Sequence, residues 1–210
     1  MPDSTLAEEK KKAGLIMRLK RIQRKLVLTG FLIFFIGLTG SIILIKTGLP
    51  ETMELPNEYL NFHLVSLYLQ PAIFLLLYKQ ILTFRNINVF ITVRRKRRWM
   101  IFHLIVLAAI YCLLFVLGLF VPYFLTGYPL FKFGNPILGT ELIILHVFVF
   151  LLLLWLLVGG YNWHRPYLLL FIVIIIDLIY HYYIEKNILI SYSPLYDELY
   201  RAIHEIYGGF

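Results

Sequence analysis

The sequence predicts an all-α integral membrane protein with about five transmembrane helices, and three observations lead there. The first is composition. Of 210 residues, 60% are hydrophobic and only 15% charged, where a soluble domain carries roughly 25% charged residues. With a mean hydropathy of +0.78 such a chain cannot cover itself with polar surface, so lipid is its natural solvent. The second is the presence of five apolar runs, at about 27–46, 62–82, 100–125, 139–158 and 166–184. Each is near the roughly 20 residues needed to cross about 30 Å of hydrocarbon. The third is the distribution of basic residues along those runs. Eight Lys and Arg precede residue 27, seven fall in 79–98, and Arg165 sits in the turn between the fourth and fifth runs, sixteen in all. The alternate segments hold only Lys46, Lys132, Lys186 and Arg201, with Glu51, Glu54, Glu58, Glu141, Glu185, Asp197, Glu198 and Glu205. Basic segments stay cytoplasmic, so the N-terminus is expected inside and the C-terminus outside, in a cell membrane.

Residues 1–26 form the first region, a cytoplasmic tail and a basic amphipathic helix. Leu15, Ile16, Leu19, Ile22 and Leu26 fall at helical spacing, with Arg18, Lys20, Arg21, Arg24 and Lys25 between them. That pattern suits a helix lying in the inner headgroup layer, as a lipid anchor or a grip for a partner. The transmembrane region, 27–186, begins with a span read as retained and not as a cleaved signal, since no small-residue cleavage site follows it. Gly37 and Ser41, four apart on one face, would let a second helix approach closely. An ordered outer loop, 47–61, carries two prolines and three glutamates.

The second span contains Pro71, which predicts a kink near Gln70. The Gln70 side chain is expected to bond the backbone carbonyls that the kink frees. The segment 83–98, TFRNINVFITVRRKRR, is too long for a tight turn, and its NINVFITV stretch is amphipathic as a helix or as a strand. Five consecutive cations, Arg94 to Arg98, then run into Trp99 and the long third span. A nucleic-acid role for this knot loses its force once it is placed between two spans. Basic residues there set topology and attract anionic lipid at about 1 kcal/mol each. The fourth and fifth spans form a hairpin around Gly159–Arg165. In the last region, 187–210, Ser193 is the expected N-cap and Pro194 the first helical position of an outer amphipathic helix.

Searching the sequence for chemistry excludes several classes. No G-x-x-x-x-G-K-[ST], H-E-x-x-H or G-x-S-x-G motif occurs, so the chain has no Walker-type ATP site, and a catalytic role is not expected. No metal-ligand spacing is present, and Cys112 is the single cysteine. His103 and Cys112, nine residues apart on one helix, face opposite ways and cannot form a thiolate–imidazole pair. The polar residues inside the spans are the remaining candidates. Asp177 is the one acid deep in a span, which makes it a functional candidate by default, and His181 lies one turn further out on the same face. Counting in from the outer ends at 1.5 Å per residue puts His146 at ~9 Å and Asp177 at ~10 Å. A direct His146–Asp177 hydrogen bond is therefore expected, either as interhelical glue or as the lining of a substrate or proton path.

The stretch LYKQILTFRNINVFITVRRKRRWMIFHLIVLAAIYCLLFVLGLF resembles the core of small bacterial type-2 ABC transporter permeases, among them export subunits for antimicrobial peptides and bacitracin-type antibiotics. In that resemblance 83–93 is the element that docks on a separate ATPase, Arg94–Arg98 the basic turn and Trp99 the aromatic start of the next span. Leu15–Leu26 resembles the family's N-terminal connecting helix. The likeness implies a coupling segment made by Phe84, Arg85, Asn88, Phe90, Ile91, Arg94, Arg95, Lys96, Arg97, Arg98 and Trp99. It also implies ATP and Mg on the partner ATPase and none on this chain, a second permease subunit, and export of an amphiphilic peptide, antibiotic or lipid. The family usually has six spans. Five are expected here, which makes the chain a shortened relative or limits the likeness to a basic loop between two spans. A membrane scaffold or sensor without ATP coupling is the alternative from another class.

Overall fold

The computed structural model describes the backbone of residues 3–48, 53–88 and 97–194, and the side chains of 21–48, 53–85 and 98–194. Among these residues every regular element is helical. The helices are α1 (Asp3–Thr47), α2 (Leu55–Asn61), α3 (Gln70–Asn88), α4 (Arg97–Leu125), α5 (Pro136–Val158), α6 (Pro166–Ile179) and α7 (Lys186–Tyr192). A π-helical turn, Val65–Leu69, leads into α3, and a second, Tyr180–Glu185, joins α6 to α7. Five stretches are long and apolar enough to cross a membrane: Arg21–Thr47, Val65–Arg85, Arg98–Leu125, Pro136–Tyr161 and Pro166–Tyr192. Large apolar side chains stand on the outer faces of these helices, Phe31, Phe102, Leu113 and Phe171 among them. Lipid is the solvent that makes such a surface favourable.

Local chemistry sets the helix starts. Asn135 caps α5, its Oδ1 accepting from the Ile137 N–H at 2.9 Å, and Pro136 follows with its φ already helical. Pro166 stands at the start of α6 without a side-chain cap before it, after a tight 3₁₀ turn at Gly159–Tyr161. The expected hairpin of the fourth and fifth spans is thus present. α5 sits at the centre and touches α2, α3, α4, α6 and α7. Phe150 of α5 meets Phe74 of α3 and Phe115 of α4 there, each ring centroid 5.5 Å from its own, tilted for favourable quadrupole contact.

The closest helix pair is α1 with α4, and glycine is the reason. A methyl built on Gly37 would lie 2.5 Å from the Phe115 backbone oxygen, and one on Gly118 would strike the Phe34 oxygen. The two backbones touch where neither residue has a side chain, as small residues permit within lipid. Gly37 therefore does what its spacing suggested, and Ser41 is fully buried on the same helix.

Four sequence expectations change. The basic stretch 15–26 continues into the first span within one unbroken helix, so residue 26 marks no break in the backbone. The last span does not stop at 184. It runs to Tyr192 and carries Glu185 into the protein interior, because that carboxylate finds partners there. Residues 187–192, expected in the tail, continue that span; Ser193, expected as the N-cap of a tail helix, is the extended residue that ends α7, and the residues expected to form that helix from 195 on lie outside the described ones. The irregularity at Pro71 is a wide π turn placed just before it, a usual way to absorb a missing backbone donor.

The end of the bundle away from the basic segment is closed by its loops. Glu54, wholly buried, accepts at Oε2 from the backbone N–H groups of Lys132 (2.7 Å) and Phe133 (2.9 Å), and Leu55 N–H donates to Leu130 O at 3.2 Å. Burial, reinforced by the neighbouring Glu54 charge, raises the Glu58 carboxyl above its ordinary range. Glu54→Ala would orphan two backbone donors inside this closure. It should lower stability by about 1–3 kcal/mol, read as an earlier thermal transition in detergent, whereas Glu54→Gln, which keeps an acceptor, should lose less.

Candidate functional site

The polar residues of the spans converge on one buried cluster. Its hub is Glu185, in the π turn Tyr180–Glu185. One carboxylate oxygen, Oε1, contacts His146 Nδ1 of α5, and the other, Oε2, contacts His181 Nδ1 at 2.8 Å. On its far side His146 Nε2 meets the Gln70 amide at 2.5 Å. The other end of that amide lies 3.0 and 3.1 Å from the two Asp177 oxygens. Beyond His181, its Nε2 stands 3.3 Å from Nδ1 of His63, whose partly exposed ring stacks on Tyr182. Gln70, His146, Asp177, His181 and Glu185 are each no more than 3% exposed. Tyr59 of α2 closes the cluster with its ring edge-on to His146, centroids 4.9 Å apart.

Backbone geometry explains why these residues meet. Asp177, His181 and Glu185 are spaced by four, and four residues overshoot one α-helical turn by about 40°. A π turn takes more residues per turn, so the segment from 180 to 185 cancels that drift and keeps His181 and Glu185 on one face. The π turn at Val65–Leu69 ends on Gln70, placing its side chain at the depth of His146. Both distortions of the helices adjoin the cluster, and π turns concentrate at working sites.

Two predicted details are corrected. His146 and Asp177 do not bond directly: Gln70 stands between them and touches both. The Gln70 amide accordingly faces these side chains and not the carbonyls near Pro71. Matching depth brought the two residues close, but the rotation of α3 inserted a third. Glu185, taken from sequence as an outer-loop acid, is the centre of the cluster, and His63 was not singled out at all. The signal for Glu185 was the D-x₃-H-x₃-E spacing in DLIYHYYIE; the adjacent Lys186 obscured it by resembling the end of a span.

The basic segment is placed in part. Phe84 packs against the core and Arg85 is half-buried at the end of the second span. Asn88 ends α3, Arg97 opens α4, and Arg98 is exposed. Trp99 is exposed as well, its ring 3.8 Å from that of His103. Phe90, Ile91, Arg94, Arg95 and Lys96 lie outside the described residues. Cys112 is buried in the apolar core and His103 is exposed, so the two stay apart.

An apolar groove of about 490 Å³ runs between α1 and α4, walled by Phe31, Phe34, Ile110 and Leu114. Among the described residues no group of three or more His, Cys, Asp and Glu is disposed to hold a metal ion. Compared with protein-family models, with curated proteins and with solved structures, the chain matches none. What stands as its description is the architecture: a multi-pass membrane protein with five spanning helices and a buried ionisable cluster at one end.

Proposed function

We propose that this chain is the permease subunit of an ABC-type transporter, N-terminus inside and C-terminus outside, in the cell membrane. The observation that carries the transport reading is the ionisable cluster. Two carboxyls and two imidazoles buried in an apolar bundle cost several kcal/mol each unless paired, and such groups in membranes mark ion or substrate pathways. Structural glue needs far less, since an ordinary interhelical hydrogen bond is worth about 1 kcal/mol.

Energy comes from a separate cytoplasmic ATPase that holds ATP and Mg, because the sequence has no phosphate cradle of its own. The segment 83–99 is where that ATPase docks. In support, α3 extends past the last spanning residue to Asn88 and α4 begins at Arg97, so a stretch that is basic and amphipathic in sequence joins the ends of two spans. A second permease subunit, identical or related, completes the assembly. The apolar groove beside α1 and α4 supports an amphiphilic substrate: a peptide, an antibiotic or a lipid. Nucleic acid has no place in this reading. A sensor or scaffold subunit is the second reading, favoured by the connection of the cluster to the partly exposed His63.

Affinity purification in mild detergent tests the proposal, with the native chain beside one in which Arg94–Arg98 are Gln and Phe90 and Ile91 are Ser. An ATPase that copurifies with the native chain and is lost from the variant is the expected result. With no ATPase recovered, or equal recovery from both, the coupling role fails and the sensor reading takes its place.

A further inference from the structure

The heavy-atom positions of the cluster restrict where its hydrogens can be. Start with both carboxyls ionised and both imidazoles neutral. His146 then has one N–H, while its two nitrogens face a carboxylate on one side and the Gln70 amide on the other. If the proton is on Nδ1 to serve Glu185, Nε2 needs the amide N–H₂, and the amide oxygen is then pressed against the Asp177 carboxylate. If the proton is on Nε2, Nδ1 turns a bare lone pair to Glu185. Either way two acceptors collide in a dry interior, which is costly. One added proton removes the conflict in two equivalent ways. In the first, Asp177 is a carboxylic acid donating to the Gln70 oxygen, the Gln70 N–H₂ donates to a neutral His146, and His146 Nδ1–H donates to Glu185. In the second, Asp177 is ionised and accepts from the Gln70 N–H₂, while His146 is an imidazolium donating to the Gln70 oxygen and to Glu185.

The two arrangements contain the same number of protons. Going from the first to the second, one O–H bond breaks on Asp177 and leaves its electron pair on the carboxylate. One N–H bond forms at the Nε2 lone pair of His146, and the amide turns by half a rotation. Each arrangement still leaves one net negative charge buried, which a second proton would cancel. His181 can take that proton at Nε2, becoming an imidazolium against the Glu185 carboxylate, and that nitrogen is the one 3.3 Å from His63. His63 is partly exposed and belongs to the end of the bundle opposite the basic segment.

We propose that Asp177, Gln70, His146, Glu185 and His181 form a proton-binding site, loaded through His63 from the end of the bundle opposite residues 83–99, in which the orientation of the Gln70 amide follows the position of the proton. The ligand is a proton and the site is a store, filled and emptied through His63. The groups packed around it are Tyr59 of α2, with Cys112 of α4 beside it, Tyr180 of the π turn, and Lys186, which stands over the Tyr182 ring against which His63 stacks. Burial and the nearby Lys186 cation disfavour a standing charge on His63, so His63 passes a proton inward and does not hold it. This deepens the transport reading by naming a coupled ion. It is measured by protonation, so its failure would leave the copurification result untouched.

Infrared spectroscopy of the purified full chain through a pH titration tests it. The chain has three aspartates, Asp3, Asp177 and Asp197, so aspartate labelled with carbon-13 at the side-chain carboxyl narrows the signal to three residues, and comparison with Asp177→Asn assigns it. The expected result is a label-sensitive carboxylic-acid C=O band that persists to higher pH than the unlabelled carboxyls, titrates in parallel with an imidazolium band, and is absent from Asp177→Asn. His63→Phe should leave the band's amplitude unchanged and slow its appearance after a pH jump by at least ~10-fold. Gln70→Met, close in size but without an amide, should uncouple the carboxyl and imidazolium titrations. The proposal is overturned if no label-sensitive band appears in the native protein, or if the carboxyl and imidazolium bands titrate independently. Unchanged uptake kinetics in His63→Phe would overturn the entrance assigned to His63.

Discussion

Replacing Glu185 with alanine is expected to cost about 3–5 kcal/mol of stability. The carboxylate is 3% exposed and joins two buried histidines. Removing one partner of a buried, hydrogen-bonded charge leaves the others unpaired where water cannot reach them. As hydrogen-bond partners, His146 would keep Gln70 and His181 its long contact with His63. Glu185→Gln retains one acceptor and should lose markedly less. Equilibrium unfolding in mixed micelles measures the difference. The informative variant is the pair His146→Phe with Glu185→Leu, because removing both sides of the contact should cost less than the two single changes added together. Additive losses would mean that the contact contributes nothing and would remove Glu185 as the hub. In a second cycle, His146 and Asp177 should couple only while Gln70 is present, since the amide is the bridge between them.

Gly118→Val should separate α1 from α4. A side chain at Gly118 points at the backbone of Phe34 and Leu38, and one at Gly37 at the backbone of Phe115 and Leu119. Backbone cannot step aside as a flexible side chain can, so the helices must move apart and lose contact along the crossing. Overpacking of this kind costs about 1–3 kcal/mol, occasionally more, and Gly37→Val should behave alike. The double variant should cost less than the sum, since after the first change the backbones are already apart. Thermal unfolding in detergent reads the effect. Gly159→Ala provides the control: a methyl there meets nothing closer than the Leu169 side chain at 4.0 Å, so its transition should stay close to that of the native chain.

Hydropathy found all five spans, although the first begins earlier than 27 and the last runs to Tyr192 and not to 184, because crossing a membrane is a property of each segment by itself. Every buried backbone group must be paired within its own helix, and this depends on the length and composition of that segment alone. The Lys and Arg distribution and the approach at Gly37 belong to the same local class. So does the equal depth of His146 and Asp177, since depth along a helix is a count of residues. The rotation of each helix about its axis is different. It depends on packing against neighbours and on two π turns, at Val65–Leu69 and Tyr180–Glu185, that no periodicity announces. That rotation put the Gln70 amide between His146 and Asp177. The same packing drew Glu185 inward past the point where Glu185 and Lys186 together look like the end of a span, and brought His63 from another segment against His181. The sequence alone therefore determined a five-span membrane protein with a few costly polar residues in its interior. Only the tertiary structure decided that these residues form one connected chain of proton donors and acceptors, because hydrogen bonds are set by angles and distances of a few ångströms between helices far apart in sequence.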